Sequence, residues 1–259
     1  MGEVADEAGG PGEEVCKELA AREVVLAPAR EAGVRLVSAA VNAFSPRVAG
    51  EVDAWMSPAE RTRHQRYALE RLRRRDLVTR ALVRGELGRE LGCAPGALAF
   101  GAGDQGRPHL LSPRAPELDF NLGHTEERVV LALARHRRVG VDIEHKTRRV
   151  DHAGVAERFF SAHERAALAA LPDASARRRR FLELWVLKEA WMKADGRGIG
   201  AGLDEVVFEF DASPLPRIIA LPDDDPARWE VALTELADGH LVALAWRELT
   251  GEPEPQLAR

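Results

Sequence analysis

Cysteine is close to absent from this chain: two residues in 259, Cys16 and Cys93. That is too few for a disulfide framework or a thiolate metal knuckle. Long apolar runs are missing too. None approaches the roughly 18 residues of a membrane span, so no membrane association is expected. The first residues, Met1-Gly2-Glu3-Val4-Ala5-Asp6, offer neither a basic start nor an apolar stretch. A secretory signal is therefore not expected, and the expected location is the cytoplasm. Lysine is scarce: of 37 basic residues, only Lys17, Lys146, Lys188 and Lys193 are lysine. A positive balance is also lacking. The net charge of −5 argues against a dedicated nucleic-acid binder.

What remains is globular in character. Apolar residues make up 45% and charged residues 31%, near the average for folded domains. The length suits one large domain or two small ones. Residues 1–33 are rich in Ala, Gly, Glu and Asp without an aromatic side chain, which reads as a flexible acidic tail. Residues 251–259 read as a frayed C-terminus. No internal sequence repeat is evident.

A strand is expected over 35–41. Ser57-Pro58-Ala59-Glu60 then signals a helix start, with Ser57 as N-cap, Pro58 at the first helical position and Glu60 completing a capping box. Residues 61–89 hold ten arginines and three acids. Leu77, Val78, Ala81 and Leu82 fall at helical spacing, so one face is buried and the rest is basic surface. Residues 104–108 read as a turn. Strands over 129–134 and 139–144, joined by the basic stretch 135–138, read as a hairpin. Ser161 and Glu164 form a second capping box before a short helix. A longer helix over 175–194 ends at Gly196. Strands are expected over 206–210, 229–236 and 240–246, the last two joined by Asp238-Gly239. Helices and strands in both parts of the chain give an α+β class.

Three segments carry chemistry. In Val141-Asp142-Ile143-Glu144, strand alternation puts both carboxylates on one face. That pattern fits a solvated face or a hard-metal site for an ion such as Mg²⁺. In the run from Trp185 to Lys193, Glu189 and Lys193 are i,i+4 neighbours. They read either as a surface ion pair or as a charged cluster on a mostly buried helix. A lysine there suits a phosphate oxygen or a proton transfer. In Phe120-Asn121-Leu122-Gly123-His124-Thr125, the last two side chains are able to hold a phosphate or an adenosine group.

Taken in order, these segments resemble the 4′-phosphopantetheinyl transferase family, in its pseudo-dimeric, surfactin-synthetase-activating type. The motifs matched are Gly106-Arg107-Pro108, Phe120 to Thr125, Gly140 to Glu144, and Trp185 to Lys193 followed by Gly196 and Gly198. Arg158-Phe159-Phe160-Ser161 also fits, and Gly123 stands where the family usually has serine. The resemblance implies two similar α+β halves, 34–139 and 140–250, related by pseudo-twofold symmetry, in a monomer with coenzyme A in the cleft. It implies transfer of the phosphopantetheine arm to a serine of an acyl, peptidyl or aryl carrier protein, as in polyketide and nonribosomal peptide synthesis. Mg²⁺, with Mn²⁺ as the alternative, would be held by Asp142, Glu144 and Glu189. Glu189 would also be the base, directly or through a metal-bound water, and Lys193 would meet charge on the leaving phosphate. Arg63, Arg75, Arg107, His124, Thr125 and Lys188 would bind coenzyme A, together with Asp142 and Lys193. Two rival readings are a Mg²⁺-dependent nuclease and a non-catalytic binder of coenzyme A or carrier protein.

Overall fold

The computed structural model describes residues 11–42, 45–103, 105–149, 151–198, 202–210 and 215–249. Its elements fall into two sets. The first opens with helix α1 (Pro11–Glu18), strand β1 (Arg22–Glu23), helix α2 (Ala27–Glu31) and strand β2 (Val34–Ala40). Helices α3 (Pro46–Trp55), α4 (Pro58–Gln65) and α5 (Glu70–Leu91) follow. The pair β3 (Ala99–Ala102) and β4 (Pro108–Ser112) leads to β5 (Leu118–His124) and β6 (Arg128–Arg135). The second set starts with β7 (Arg137–His145) and helices α6 (His152–Phe159), α7 (Ala162–Ala169) and α8 (Ala174–Asp195). The pair β8 (Val207–Glu209) and β9 (Arg217–Ala220) precedes the hairpin β10 (Trp229–Glu235) and β11 (His240–Glu248).

The two larger sheets are antiparallel, with strand orders β1-β2-β6-β5 and β10-β11-β7. Alternation along each strand assigns its residues to two cores. On β6, Val129, Leu131 and Leu133 share a core with Val78, Ala81 and Leu82 of α5. Val130, Ala132 and Ala134 face the other way, into a core with Val139, Val141 and Ile143 of β7 and Val242, Leu244 and Trp246 of β11. Leu241, Ala243 and Ala245 of β11 join Leu187, Ala190 and Trp191 of α8. The layering is therefore helix, sheet, sheet, helix. A strand covered on both faces reads as an unbroken apolar run, as 129–134 does.

The two sets repeat an order of elements. Helix α4 begins at Pro58 and α7 at Ala162, while α5 begins at Glu70 and α8 at Ala174, the same step of 104 residues. Both short helices start with a complete capping box, at Ser57 and Ser161. Both long helices have 22 residues and end on a left-handed glycine, Gly92 and Gly196. Few side chains are shared at this step, so the repeat is one of elements and buried devices.

Several expectations change. Residues 11–33, expected within a flexible tail, form α1, β1 and α2, while 1–10 lie outside the described residues, as do 251–259 and Asp104 of the expected turn. Val15 and Leu19 are fully buried in the core beneath α5, and β1 pairs with β2. An apolar pair anchors this segment despite its acidic composition. The basic stretch 61–89 is two helices rather than one. Helix α4 closes at Arg66, and Leu69 reopens the chain in an extended conformation before α5. No glycine or proline marks that break in the sequence. The expected hairpin over 129–144 is not one. Strand β6 pairs with β2 and β5, whereas β7 pairs with β11. The chain crosses between sheets at His136, whose φ is 57°. On its other edge β7 donates Val139 N to Asp119 Oδ2 at 2.9 Å and Val141 N to Asn121 Oδ1 at 3.0 Å. Side chains of β5 thus replace a backbone ladder there. No helix among the described residues is long and apolar enough to cross a membrane.

Candidate active site

Helix α8 lies on β7 because Gly140 leaves room for it. A Cβ at Gly140 would stand 2.1 Å from the Ala190 oxygen and 2.5 Å from the Ala194 nitrogen. This close approach brings Glu189 and Lys193 over Asp142. Lys193 Nζ donates to Asp142 Oδ1 at 2.7 Å, to the Val141 oxygen at 3.0 Å and to the Leu122 oxygen at 3.3 Å. One ammonium thus ties β5, β7 and α8 together.

Asp142 is buried. Its Oδ1 is taken by Lys193, while Oδ2 has no hydrogen-bond partner. The Glu189 carboxyl is raised to about 7, first by burial and then by the Asp142 carboxylate, against the opposing cations Lys193 and Arg148. His124, at the end of β5, has its pKa lowered by loss of solvent around the ring and then by the Arg75 guanidinium. It is therefore a neutral imidazole at pH 7.

An unpaired buried carboxylate oxygen beside a carboxyl that resists ionisation has the donor chemistry of a hard divalent cation. The residues fit such an ion in kind, but not as a ready-made triad. Among the described residues, no group of three or more His, Cys, Asp or Glu side chains stands arranged to hold a metal. Glu144 instead forms an ion pair with Arg148, four residues later in the turn that follows β7. The expected set of Asp142, Glu144 and Glu189 is therefore assembled only as Asp142 and Glu189.

Other expected residues also divide. Lys188 does not face this site. Five residues separate it from Lys193, about 140° around a helix, so it points to the opposite side. It is fully buried against Glu164 at 2.8 Å and donates to the Leu203 and Val206 oxygens. Arg107 is also occupied by protein: it donates to the Lys193, Phe120 and Val139 oxygens and pairs with Asp119 at 2.7 Å. The Thr125 hydroxyl serves the β5–β6 turn and His240. Lys188 is thus a correction to the expected coenzyme A contacts, while Arg107 and Thr125 already hold protein partners. Arg75 stays beside His124, and Arg63 is exposed on α4, so both keep an available guanidinium. Gly123 has a local reason: a Cβ there would lie 3.1 Å from Val130 Cγ2 and 3.3 Å from the Asp142 Cα.

Sequence reasoning missed Arg148, Glu164 and His240. Only Glu164 carried a signal, as the third residue of a capping box, and that signal spoke of a helix end. Its carboxylate closes the box to Ser161 and also accepts from Phe208 N at 3.0 Å.

Comparison with known proteins agrees with the motifs. The family model of the 4′-phosphopantetheinyl transferase superfamily matches residues 138–245. The 4′-phosphopantetheinyl transferase HetI of Nostoc sp. is 33% identical over 184 residues, covering 70% of this chain and 72% of that protein. A phosphopantetheinyl transferase of Thraustochytrium sp. is 30% identical over 242 residues, covering 85% and 84%. The 4′-phosphopantetheinyl transferase Sfp of Bacillus subtilis is 30% identical over 183 residues, covering 67% and 79%. The chain belongs to the 4′-phosphopantetheinyl transferase family.

Proposed function

We propose that this protein moves the 4′-phosphopantetheine arm of coenzyme A to a serine of an apo acyl, peptidyl or aryl carrier protein, releasing 3′,5′-ADP. The observation that carries this reading is the pairing of Glu189, poised near neutrality, with the half-satisfied Asp142 under Lys193. The serine hydroxyl oxygen forms a bond to the β-phosphorus of the pyrophosphate. The bond from that phosphorus to the bridging oxygen breaks, and the electron pair leaves with 3′,5′-ADP. Glu189 takes the hydroxyl proton, a role suited to a carboxyl titrating near the working pH. Lys193 offsets charge on the phosphate oxygens.

Asp142 and Glu189 would hold a Mg²⁺ ion, or Mn²⁺, with Glu144 joining once released from Arg148. The chemistry such an ion supplies is neutralisation of the pyrophosphate charge. Arg75, His124 and Arg63 would bind the 3′-phosphate and adenosine end. The 104-residue step supports reading the two sets of elements as halves, 34–139 and 140–250, related by a pseudo-twofold axis. A chain holding both halves would work as a monomer.

Intact-mass spectrometry of apo carrier proteins incubated with this protein, coenzyme A and Mg²⁺ tests the reading. A gain of about 340 Da, the mass of the transferred arm, abolished by EDTA, supports it. No gain on acyl, peptidyl or aryl carriers overturns it.

A further inference from the structure

A hydroxyl, an imidazole and a carboxylate form a chain beside the site. Thr125 Oγ1 lies 3.1 Å from His240 Nε2, and His240 Nδ1 lies 2.9 Å from Asp238 Oδ1. The order resembles that of a nucleophilic triad, but the hydroxyl is otherwise engaged. It accepts from the backbone N–H groups of Glu127 at 3.3 Å and Arg128 at 3.1 Å. A hydroxyl has two lone pairs and one proton. With both lone pairs taken, its proton goes to His240 Nε2, and His240 then donates its Nδ1–H to Asp238. Asp238 stays ionised: burial opposes its charge, but hydrogen bonds from His240 and Arg128 outweigh this and hold its pKa at about 2. His240 is fully buried, and the ring of His145 packs edge-on against it at 4.7 Å.

The two ends of this chain belong to different sheets. Thr125 directly follows His124 at the end of β5. His240 opens β11 and pairs with His145, the last residue of β7, the strand that carries Asp142 and Glu144. We infer that His240 is a positioning residue: through the Thr125 hydroxyl it fixes the distance between His124 and the Asp142–Glu189 pair. Resting on the proposed function, this sets the span between the 3′-phosphate and the pyrophosphate of coenzyme A. A ligand that lacks the 3′-phosphate does not need that span.

The test compares coenzyme A with dephospho-coenzyme A in Thr125→Val, Thr125→Ser, His240→Asn and His124→Ala proteins. His240→Asn keeps a donor for Asp238 and removes the acceptor for Thr125. Thr125→Val and His240→Asn are each expected to raise KM for coenzyme A about tenfold, with kcat within about twofold. KM for dephospho-coenzyme A should stay unchanged, Thr125→Ser should behave as wild type, and a protein carrying both Thr125→Val and His240→Asn should be no worse than either single variant. An unchanged KM in Thr125→Val while His124→Ala raises it overturns the inference alone. So does an equal rise for both substrates, or a Thr125→Ser protein as impaired as Thr125→Val. An unchanged KM in His124→Ala overturns the 3′-phosphate reading and the inference with it.

Discussion

The Lys188 ammonium lies 2.8 Å from the Glu164 carboxylate, and the two side chains are 0% and 1% exposed. Glu60 and Arg84 form the counterpart pair 104 residues earlier, and Arg84 donates to the Pro95 and Leu98 oxygens much as Lys188 does to Leu203 and Val206. Each pair ties the start of a short helix to the middle of the long helix that follows it. Each also satisfies carbonyls of the loop beyond the long helix. The charges are buried where removing one partner leaves the other without solvent.

Lys188→Met should therefore be a stability variant. Loss of the ammonium leaves Glu164 buried and unpaired, at a cost of about 3–5 kcal/mol. Urea denaturation is expected to show that loss, while KM for coenzyme A in the folded fraction stays at the wild-type value. A raised KM at unchanged stability would return Lys188 to the substrate site.

Transfer should depend on pH through Glu189. With its carboxyl raised to about 7 in the metal-free protein, kcat/KM at sub-saturating Mg²⁺ is expected to climb about tenfold per pH unit below that value and to level off above it. A rate already flat at about pH 5.5 would mean that another group takes the proton.

The same shift makes Glu189 a liability for folding. Its folded pKa of about 7 lies above the reference of 4.5. The protonated form is favoured in the fold, so its contribution is fully present below pH 4.5 and is lost as pH rises through about 7. Glu189→Gln should abolish transfer yet stabilise the metal-free protein at about pH 8, on the order of 2–3 kcal/mol relative to its effect at about pH 4. Thermal unfolding in EDTA at both pH values measures this. Equal effects at both would show that Glu189 is not buried as described.

Two glycines should respond differently to a side chain. Gly140→Ala drives a Cβ into the α8 backbone and is expected to cost about 3 kcal/mol or more. Gly123→Ser meets Val130 Cγ2 at 3.1 Å and both Ile143 Cγ2 and the Asp142 Cα at 3.3 Å; side-chain adjustment relieves the first two, and the third asks a few tenths of an ångström of the β7 backbone. It should cost about 1–2 kcal/mol, less than Gly140→Ala. Calorimetric melting of both variants gives the order.

Arg75 and Arg107 were expected to share a ligand, and the structure separates them. Arg75→Ala should raise KM for coenzyme A about tenfold with little change in melting temperature. Arg107→Ala removes four hydrogen bonds that join Lys193, Asp119, Phe120 and Val139, and its main effect should be a loss of stability. A stable Arg107→Ala protein with a specific KM defect would reverse that assignment.

Much of this protein was legible in the sequence by itself. The capping boxes at Ser57 and Ser161 and the glycine stop at Gly196 depend on hydrogen bonds within a few residues, so they read correctly. Strand alternation placed Asp142 opposite Val141 and Ile143, and helical spacing placed Glu189 with Lys193. Both follow from the geometry of one element. The tertiary structure alone decided which elements meet. It paired β7 with β11 rather than β6, because Asp119 and Asn121 of β5 occupy the free edge of β7. It turned Lys188 inward to Glu164, committed Arg107 and Thr125 to protein partners, and set Arg148 on Glu144. Residue type and spacing say what a side chain is able to bind. Which partner it binds depends on elements far away in the chain, whose position comes from the packing of three cores rather than from any local pattern.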